Sequence, residues 1–165
     1  MREFMRILVG YWGTHESNIV KFKAYLNLRA ICADVTDQEN IENIYRKMYL
    51  VFIKTSRDVN WYKYDQIRFM INCFVNFFPW YSRLSIFKVE LLAQNKVSAY
   101  MIGFSYIRSI ALHLKNCMKE RTKENIFKIY NWQFLNAIRL WFSAIGAYPD
   151  KDDLGRLAHP LIEVT

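Results

Sequence analysis

The chain has 165 residues, enough for one domain that buries roughly 70% of the surface exposed by its unfolded form. Apolar residues make up 53% and aromatic residues 17%, with only five Gly and three Pro, which excludes a disordered or linker segment. The excess of 23 Lys and Arg over 15 Asp and Glu favours RNA phosphates or acidic protein surfaces as partners, with a solvated basic face as the plainer alternative.

The cysteines and the apolar segments indicate the cellular compartment of the protein. Cys32, Cys73 and Cys117 are widely spaced among apolar neighbours and include no Cys-x-x-Cys pair, so we predict small core residues in a reducing, intracellular protein. The longest apolar region, 69–81, is interrupted by Asn and Pro and is shorter than the roughly 20 residues of a membrane span. We predict a soluble protein with no membrane contact and no signal peptide.

The first three predicted helices follow apolar periodicity. A short apolar segment, 2–12, precedes a segment, 17–34, whose two apolar rows predict a helix covered on two sides. Thr36 and Glu39 have the spacing of a capping box and predict a third helix over 37–54.

Two further helices are predicted in the next part of the chain, up to residue 93. Asp58 or Asn60 would cap the fourth, whose apolar positions repeat at three and four. Pro79 would end it or begin a fifth helix over 80–93.

The chain is organised around residues 98–146, which are predicted to form two long helices joined by a short polar corner. Thr122 would cap the second of these helices. Apolar residues off its main row, among them Trp132, indicate that it is covered on two sides. We expect Trp132 to lie in the core and Trp132→Ala to cost about 3 to 5 kcal/mol.

Consecutive helices with short corners and no strand alternation predict an all-α fold of stacked antiparallel helices, either a helical bundle or an alpha-solenoid of the HEAT or armadillo kind. No fixed sequence period is present, which weakens the solenoid alternative. Residues 1–165 are expected to form a single helical domain. The apolar segment 150–165 has no polar tail, so both ends of the chain look cut, as in one section of a longer helical-repeat protein.

No motif predicts catalysis, a cofactor or a metal. His15, His113 and His159 lie far apart, without further ligands at the spacing of a structural zinc site. The sequence contains no Gly-rich phosphate loop, no Gly-x-Ser-x-Gly elbow and no His-Glu-x-x-His pair. We therefore predict a protein that is not an enzyme and has no small-molecule substrate.

Polar residues within the two long helices have two interpretations each. Arg108 lies in an apolar stretch, so we favour a buried stem with a paired guanidinium over a partner contact. His113 is expected to be a hydrogen-bonded core or interface residue. Asn131 and Gln133 would form either a hydrogen-bond network between helices or a docking surface.

A cluster of basic residues surrounds the predicted corner, with Glu120 and Glu124 opposing it. It is a candidate patch for an RNA backbone or an acidic partner, although a solvated corner has the same composition. The cluster comprises Lys115, Lys119, Arg121, Lys123 and Lys128.

Three pieces of the sequence lie within 106–114, 130–134 and 157–164, and in their order and spacing they resemble the nucleolar complex protein 2 family. Ser109 and Lys115 depart from the family pattern, which indicates a divergent member. The first two pieces supply the candidate partner or packing motif, which comprises Tyr106, Ile107, Arg108, His113, Tyr130, Asn131, Trp132 and Gln133. The third piece comprises Leu157, Pro160, Leu161, Ile162 and Val164.

This resemblance implies a non-catalytic scaffold of the nucleus and nucleolus. Such a protein would assist maturation and nuclear export of the large (60S) ribosomal subunit precursor, paired with nucleolar complex protein 1 or 3. The pre-60S particle is then the larger partner, with its rRNA as a candidate contact. The alternative function is a basic helical module that binds RNA directly without an obligate protein partner.

Overall fold

The computed structural model describes residues 2–34, 38–84, 89–147 and 153–165, and regular structure within them is entirely helical. The predicted all-α fold is confirmed. In these ranges the elements are α1 (Arg2–Thr14), α2 (Asn18–Asp34), α3 (Gln38–Thr55), α4 (Trp61–Leu84), α5 (Val89–Lys119), α6 (Lys123–Ile129), α7 (Trp132–Gly146), a 3-10 helix (Asp153–Leu157) and α8 (Ala158–Val164).

The helices share one apolar core. The helix α1 packs against α2 and α3, α2 packs against α4, and α7 packs against α3, α4, α5 and α8. Trp12 and Trp141 are fully buried at opposite ends of the chain, and Phe52 and Phe74 lie between them in sequence. Burial of these large side chains, each worth about 1.5 to 3 kcal/mol, explains why short amphipathic helices are held together.

Helix ends follow the sequence signals only in part. Asn60 caps α4, because its Oδ1 accepts a hydrogen bond of 2.9 Å from the backbone N–H of Lys63, which confirms one of the two predicted caps. The predicted capping box cannot be compared, because Thr36 lies outside the described residues.

The predicted break at Pro79 is wrong. The helix α4 continues through Pro79 to Leu84, and α5 runs from Val89 through the predicted boundary at Gln94 and Asn95. A helix over 80–93 is therefore wrong as well, although 85–88 lie outside the described residues. Proline costs about 3 kcal/mol inside a helix, which the burial of several apolar side chains on α4 can offset.

One of the two apolar rows of α2 is exposed, contrary to the prediction. Ile19, Phe22 and Leu26 are 70%, 48% and 43% exposed, whereas the second row, with Ala24 and Leu28, is buried. The helix packs against α1 and α4 on one side only. Among the described residues, α2 is therefore not covered on two sides as predicted.

The C-terminal elements close the core beside α7. Leu154, Leu157 and Leu161 are buried where the 3-10 helix and α8 pack against α5 and α7. Gly103 allows the close approach, since a Cβ there would lie 2.7 Å from Cδ1 of Leu157 and 3.2 Å from Cζ3 of Trp141. Within the described part of the chain, none of the helices has the length and apolar character to cross a membrane.

Candidate functional site

The site forms around a break between α6 and α7. The sequence predicts one helix through this region, but the backbone of Asn131 is extended, with φ of −146° and ψ of 157°, and separates two helices. Its Oδ1 accepts a hydrogen bond of 2.7 Å from the N–H of Phe134 and caps α7. Its Nδ2 donates to the carbonyl oxygens of Phe127 and Lys128 at the end of α6. Asn side chains compete with helical hydrogen bonds in this way.

The polar corner before this break has the predicted geometry. Oγ1 of Thr122 accepts a hydrogen bond of 3.2 Å from the N–H of Asn125, so the predicted cap of Thr122 is confirmed. Because the helix that it begins ends at Ile129, α6 is a seven-residue connector, and none of its residues is buried.

A groove of about 330 Å³ lies between α3, α5 and α7, next to this break. It combines an apolar floor with hydroxyl, imidazole, amide and ammonium groups, which can hydrogen-bond an extended chain or a planar ring. Its polar lining comprises Tyr49, Tyr106, Ser109, His113, Lys128, Asn131 and Gln133.

Two stacked tyrosines form the floor of the groove. The rings of Tyr49 and Tyr106 have centroids 3.8 Å apart, and both lie near the ring of Trp141. Burial raises the pKa of Tyr49 to about 12, an effect that the nearby indole N–H of Trp141 opposes and Tyr106 strengthens. Burial also raises the pKa of Tyr106, with the charge of Arg46 opposing. Both hydroxyls therefore stay protonated at neutral pH, as neutral hydrogen-bonding groups.

The groove brings together part of the sequence-predicted motif. Tyr106, His113, Asn131 and Gln133 line it, together with Lys128 from the basic cluster. Ile107, Arg108, Tyr130 and Trp132 do not line it. Of these four, Ile107 is a core residue, 2% exposed, and the other three are exposed.

The preferred interpretation of Arg108 is wrong. Its side chain is exposed, and it makes no hydrogen bond or ion pair in the part of the chain that the structure describes. The helix α5 buries Ile107 and Ile110, whereas Arg108 lies on its exposed side. The apolar neighbours in sequence thus did not force its burial.

His113 and Gln133 lie at the surface of the groove, where the predicted interface and docking roles stay open. His113 is exposed at the rim of the groove rather than placed in the core, and Gln133 is half-buried beside it. Neither side chain forms a hydrogen bond among the described residues, so the predicted network between helices is present for Asn131 alone. The imidazole and the amide are consequently available at the surface of the groove.

Trp132 is not a core residue. It is 54% exposed and follows Tyr130, which is 84% exposed, across the break. The prediction of a buried Trp132 fails because α7 begins there. The residue lies on the side of α7 that faces away from the core, as do the exposed Leu135 and Phe142, so among the described residues α7 is not covered on two sides as predicted.

The basic cluster surrounds this corner as a set of exposed side chains. Lys115, Lys119, Arg121, Lys123 and Lys128 are all exposed. Lys128 lies 3.5 Å from Glu124, an exposed pair of small energetic value. The cluster therefore keeps most of its positive charge, next to the groove and the exposed aromatic residues.

Sequence reasoning missed several residues of this region. Leu135 and Phe142 are 53% and 43% exposed on α7, and Arg139 lies between them with its guanidinium carbon 5.0 Å from the ring centre of Tyr64. Asn136 is buried and donates to the carbonyl oxygen of Ser56 at 3.5 Å. The available signal was Asn131 itself, a preferred cap residue, which resets the phase of the following helix.

Metal and thiol chemistry have little support among the described residues. These contain no group of three or more His, Cys, Asp or Glu side chains placed to hold a metal ion. Burial raises the pKa of Cys32 to about 12 and that of Cys73 to about 11, with weaker opposition at Cys73 from Trp12 and Arg29. Such thiols are poor nucleophiles.

The fold and this surface define a basic all-α protein with a polar groove and exposed apolar faces, features typical of macromolecular interaction modules. The sequence profile described as the Noc2p family matches residues 39–165. The chain belongs to this family, as the motifs at both sides of the groove predicted.

Curated relatives agree with this assignment. Nucleolar complex-associated protein 2 of Arabidopsis thaliana is 27% identical over 164 residues, 99% of this chain and 19% of its own length. Nucleolar complex protein 2 of Drosophila melanogaster is 29% identical over 163 residues, again 99% and 19%. A Caenorhabditis elegans homologue of nucleolar complex protein 2 is 30% identical over 125 residues, 73% of this chain and 16% of its own length. The chain thus spans about a fifth of the length of these relatives.

Proposed function

We propose that this protein is a non-catalytic scaffold in ribosome biogenesis, within a nucleolar complex that assists maturation and nuclear export of the 60S precursor. Nucleolar complex protein 1 or 3 would be its partner, and the nucleus and nucleolus its location. The observation that carries this proposal is family membership over residues 39–165. Relatives named for a nucleolar complex match almost the whole chain.

The architecture supports a scaffold. Exposed apolar side chains occur on α2, on α7 and at the break between α6 and α7, where further protein could pack. As part of this proposal, the chain is a single helical domain within a longer helical-repeat protein. The matched relatives are about five times as long, as their 19% coverage implies.

Affinity purification of the tagged full-length gene product from its own cells tests the scaffold function. We expect large-subunit precursor rRNA and nucleolar complex protein 1 or 3 to copurify, and both to be absent from an untagged control. A nucleolar position of the tagged protein under the microscope is the accompanying expectation. Recovery of neither the precursor nor a second nucleolar complex protein would contradict the proposal.

Direct RNA binding is a second candidate function, favoured by the exposed basic cluster at the corner. If Lys119, Arg121 and Lys123 each contact one phosphate of a single strand, affinity should fall about 20-fold between 50 and 200 mM salt. A triple charge reversal, Lys119→Glu, Arg121→Glu and Lys123→Glu, should abolish retention of an oligouridine probe.

The matched control reverses three exposed charges elsewhere, Lys23→Glu, Lys54→Glu and Arg57→Glu, with the same change in net charge. It should bind RNA as the unaltered chain does if the corner is the binding site. Equal losses in the two variants would indicate a non-specific effect of net charge, and absence of binding at low salt would eliminate this candidate.

A further inference from the structure

The side of α7 turned away from the core carries an apolar stripe. Trp132, Leu135 and Phe142 are 54%, 53% and 43% exposed, and Arg139 lies in the same row. Their spacing of three, seven and ten residues from Trp132 places them on one side of the helix, over about 15 Å. We call these four residues the outer face of α7. The opposite side of the same helix is buried in the core, so the stripe is not required for folding.

The outer face continues into a cleft at the break between α6 and α7. This cleft has a volume of about 450 Å³ and is lined by Ile129, Tyr130, Asn131, Trp132, Phe134 and Leu135. None of these side chains is charged. Phe127, 71% exposed, and Tyr130, 84% exposed, extend the apolar surface on the side of α6. The cleft is therefore suited to a bulky apolar side chain of a partner.

Positive charge flanks this apolar surface. Four members of the basic cluster lie at the end of α5 and the start of α6, and Lys128 lies in the last turn of α6, which spans only about 10 Å. Arg139 adds a cation within the outer face, where its Nη2 donates a hydrogen bond of 3.0 Å to the hydroxyl of Tyr64. Glu120 and Glu124 oppose five basic side chains. A partner with acidic residues beside its apolar residues would complement this arrangement.

The chemistry favours a protein segment over RNA and over a second copy of this chain. Bases can stack on Tyr130, Trp132 and Phe134, but a single-strand site also needs cations along the same groove, and no charged side chain lines this cleft. Ile129 and Leu135 are suited to aliphatic side chains. A second copy would bring the same basic cluster, and a chain with a net charge of +8 repels its copy.

We propose that the outer face of α7 and the adjoining cleft bind an acidic amphipathic helix of a partner protein. Bulky apolar residues of that helix, three and four positions apart, pack on Trp132, Leu135 and Phe142. Its Asp and Glu residues face the basic cluster. The inference deepens the proposed scaffold function and rests on it, but its test uses purified protein and peptides, so either can fail separately.

The test is a selection of 16-residue peptides from a random library displayed on phage, with the purified 165-residue chain as bait. We expect the enriched peptides to have net negative charge and apolar residues at spacings of three and four. Anisotropy of a labelled enriched peptide should report binding that weakens at least tenfold in the double variant Trp132→Ala with Leu135→Ala, since two central contacts are lost.

One further variant provides the control, and another tests the contribution of the basic cluster. Phe22→Ala with Leu26→Ala removes side chains of similar exposure from α2 and should leave peptide affinity unchanged. The triple charge reversal at Lys119, Arg121 and Lys123 should weaken binding of the same peptide at least fivefold, with a smaller effect at high salt. Circular dichroism of each variant confirms that it is folded.

Other results would overturn the proposal. Enriched peptides without acidic excess, or peptides whose affinity is equal in both double variants, would remove the assigned chemistry or the assigned surface. Oligouridine binding that depends on Trp132 while no acidic peptide is selected would assign the surface to RNA. Sedimentation that shows a dimer abolished by Trp132→Ala with Leu135→Ala, again without an acidic peptide, would assign it to a second copy.

Discussion

Two tryptophans nine residues apart on α7 have opposite surroundings. Trp141 is fully buried, with ring centroids 5.8 Å from Tyr49 and 6.0 Å from Phe74. Trp132 is 54% exposed at the first turn of the helix, beside a cleft. The sequence places both in apolar segments of similar composition. The difference teaches that apolar character along α7 reflects two roles, one in the core and the other at the surface.

The largest expected effect is the loss of the buried tryptophan. Trp141→Ala should lower the free energy of unfolding by about 3 to 5 kcal/mol, because it leaves a cavity among Tyr49, Phe74 and Tyr106. Thermal melting followed by circular dichroism measures the change. A loss below about 1 kcal/mol would mean that Trp141 is not the centre of this core.

Alkaline pH should destabilise the same buried region. The pKa of Tyr49 is raised to about 12 in the folded protein, whereas its unfolded value is about 10. Between these values Tyr49 loses its proton in the unfolded chain but keeps it in the folded chain, so this residue alone lowers stability by about 2 kcal/mol at pH 12. The raised pKa values of Cys32 and Cys73 act in the same direction. Urea unfolding at pH 8 to 12 measures this slope.

Tyr49→Phe should reduce the alkaline slope. Tyr130→Phe serves as the matched control, because it removes the same hydroxyl from a side chain that is 84% exposed and lies outside the buried region. Equal slopes for Tyr49→Phe and the unaltered chain would show that Tyr49 is not the titrating group.

Asn131 determines where α6 ends and where α7 begins. Asn131→Ala removes the cap of α7 and both hydrogen bonds to α6, and should cost about 1 to 2 kcal/mol. Asn131→Asp keeps the acceptor for Phe134 but loses the amide donor, so an intermediate loss is expected in denaturant unfolding. A larger loss for Asp than for Ala would contradict the role of the Oδ1 cap.

The smallest effect belongs to the exposed tryptophan. Trp132→Ala should change stability by less than about 0.5 kcal/mol, because the side chain lies outside the core and makes none of the cap hydrogen bonds of α7. The same melting experiment used for Trp141→Ala provides a direct comparison. If the two losses were similar, the distinction between the two sides of α7 would be wrong.

Much of the fold was predictable from local signals. Spacings of three and four gave the all-α class, and Asn60 and Thr122 marked helix starts because their side-chain oxygens satisfy free backbone N–H groups. Pro79 and Asn131 were misjudged for opposite reasons. Helix α4 continues through the proline while tertiary packing buries its apolar residues, whereas at Asn131 side-chain hydrogen bonds end one helix and begin another.

The candidate site was predictable as a set of residues but not as a surface. The sequence identified Tyr106, His113, Asn131 and Gln133, and the structure places all four around one groove. It also predicted a paired, buried Arg108 and a buried Trp132, both of which are exposed. Periodicity records which residues share a helix face, but it contains no information on whether a neighbour covers that face.

The sequence by itself determined the helical class, the excess positive charge and the family to which the chain belongs, because these depend on composition, spacing and motif order. The tertiary structure decided which apolar rows are core and which are surface. It also decided that Asn131 separates a connector from α7 and that the groove forms beside it. The physical reason is that burial depends on contacts between helices far apart in sequence, as between Trp141 and Tyr49.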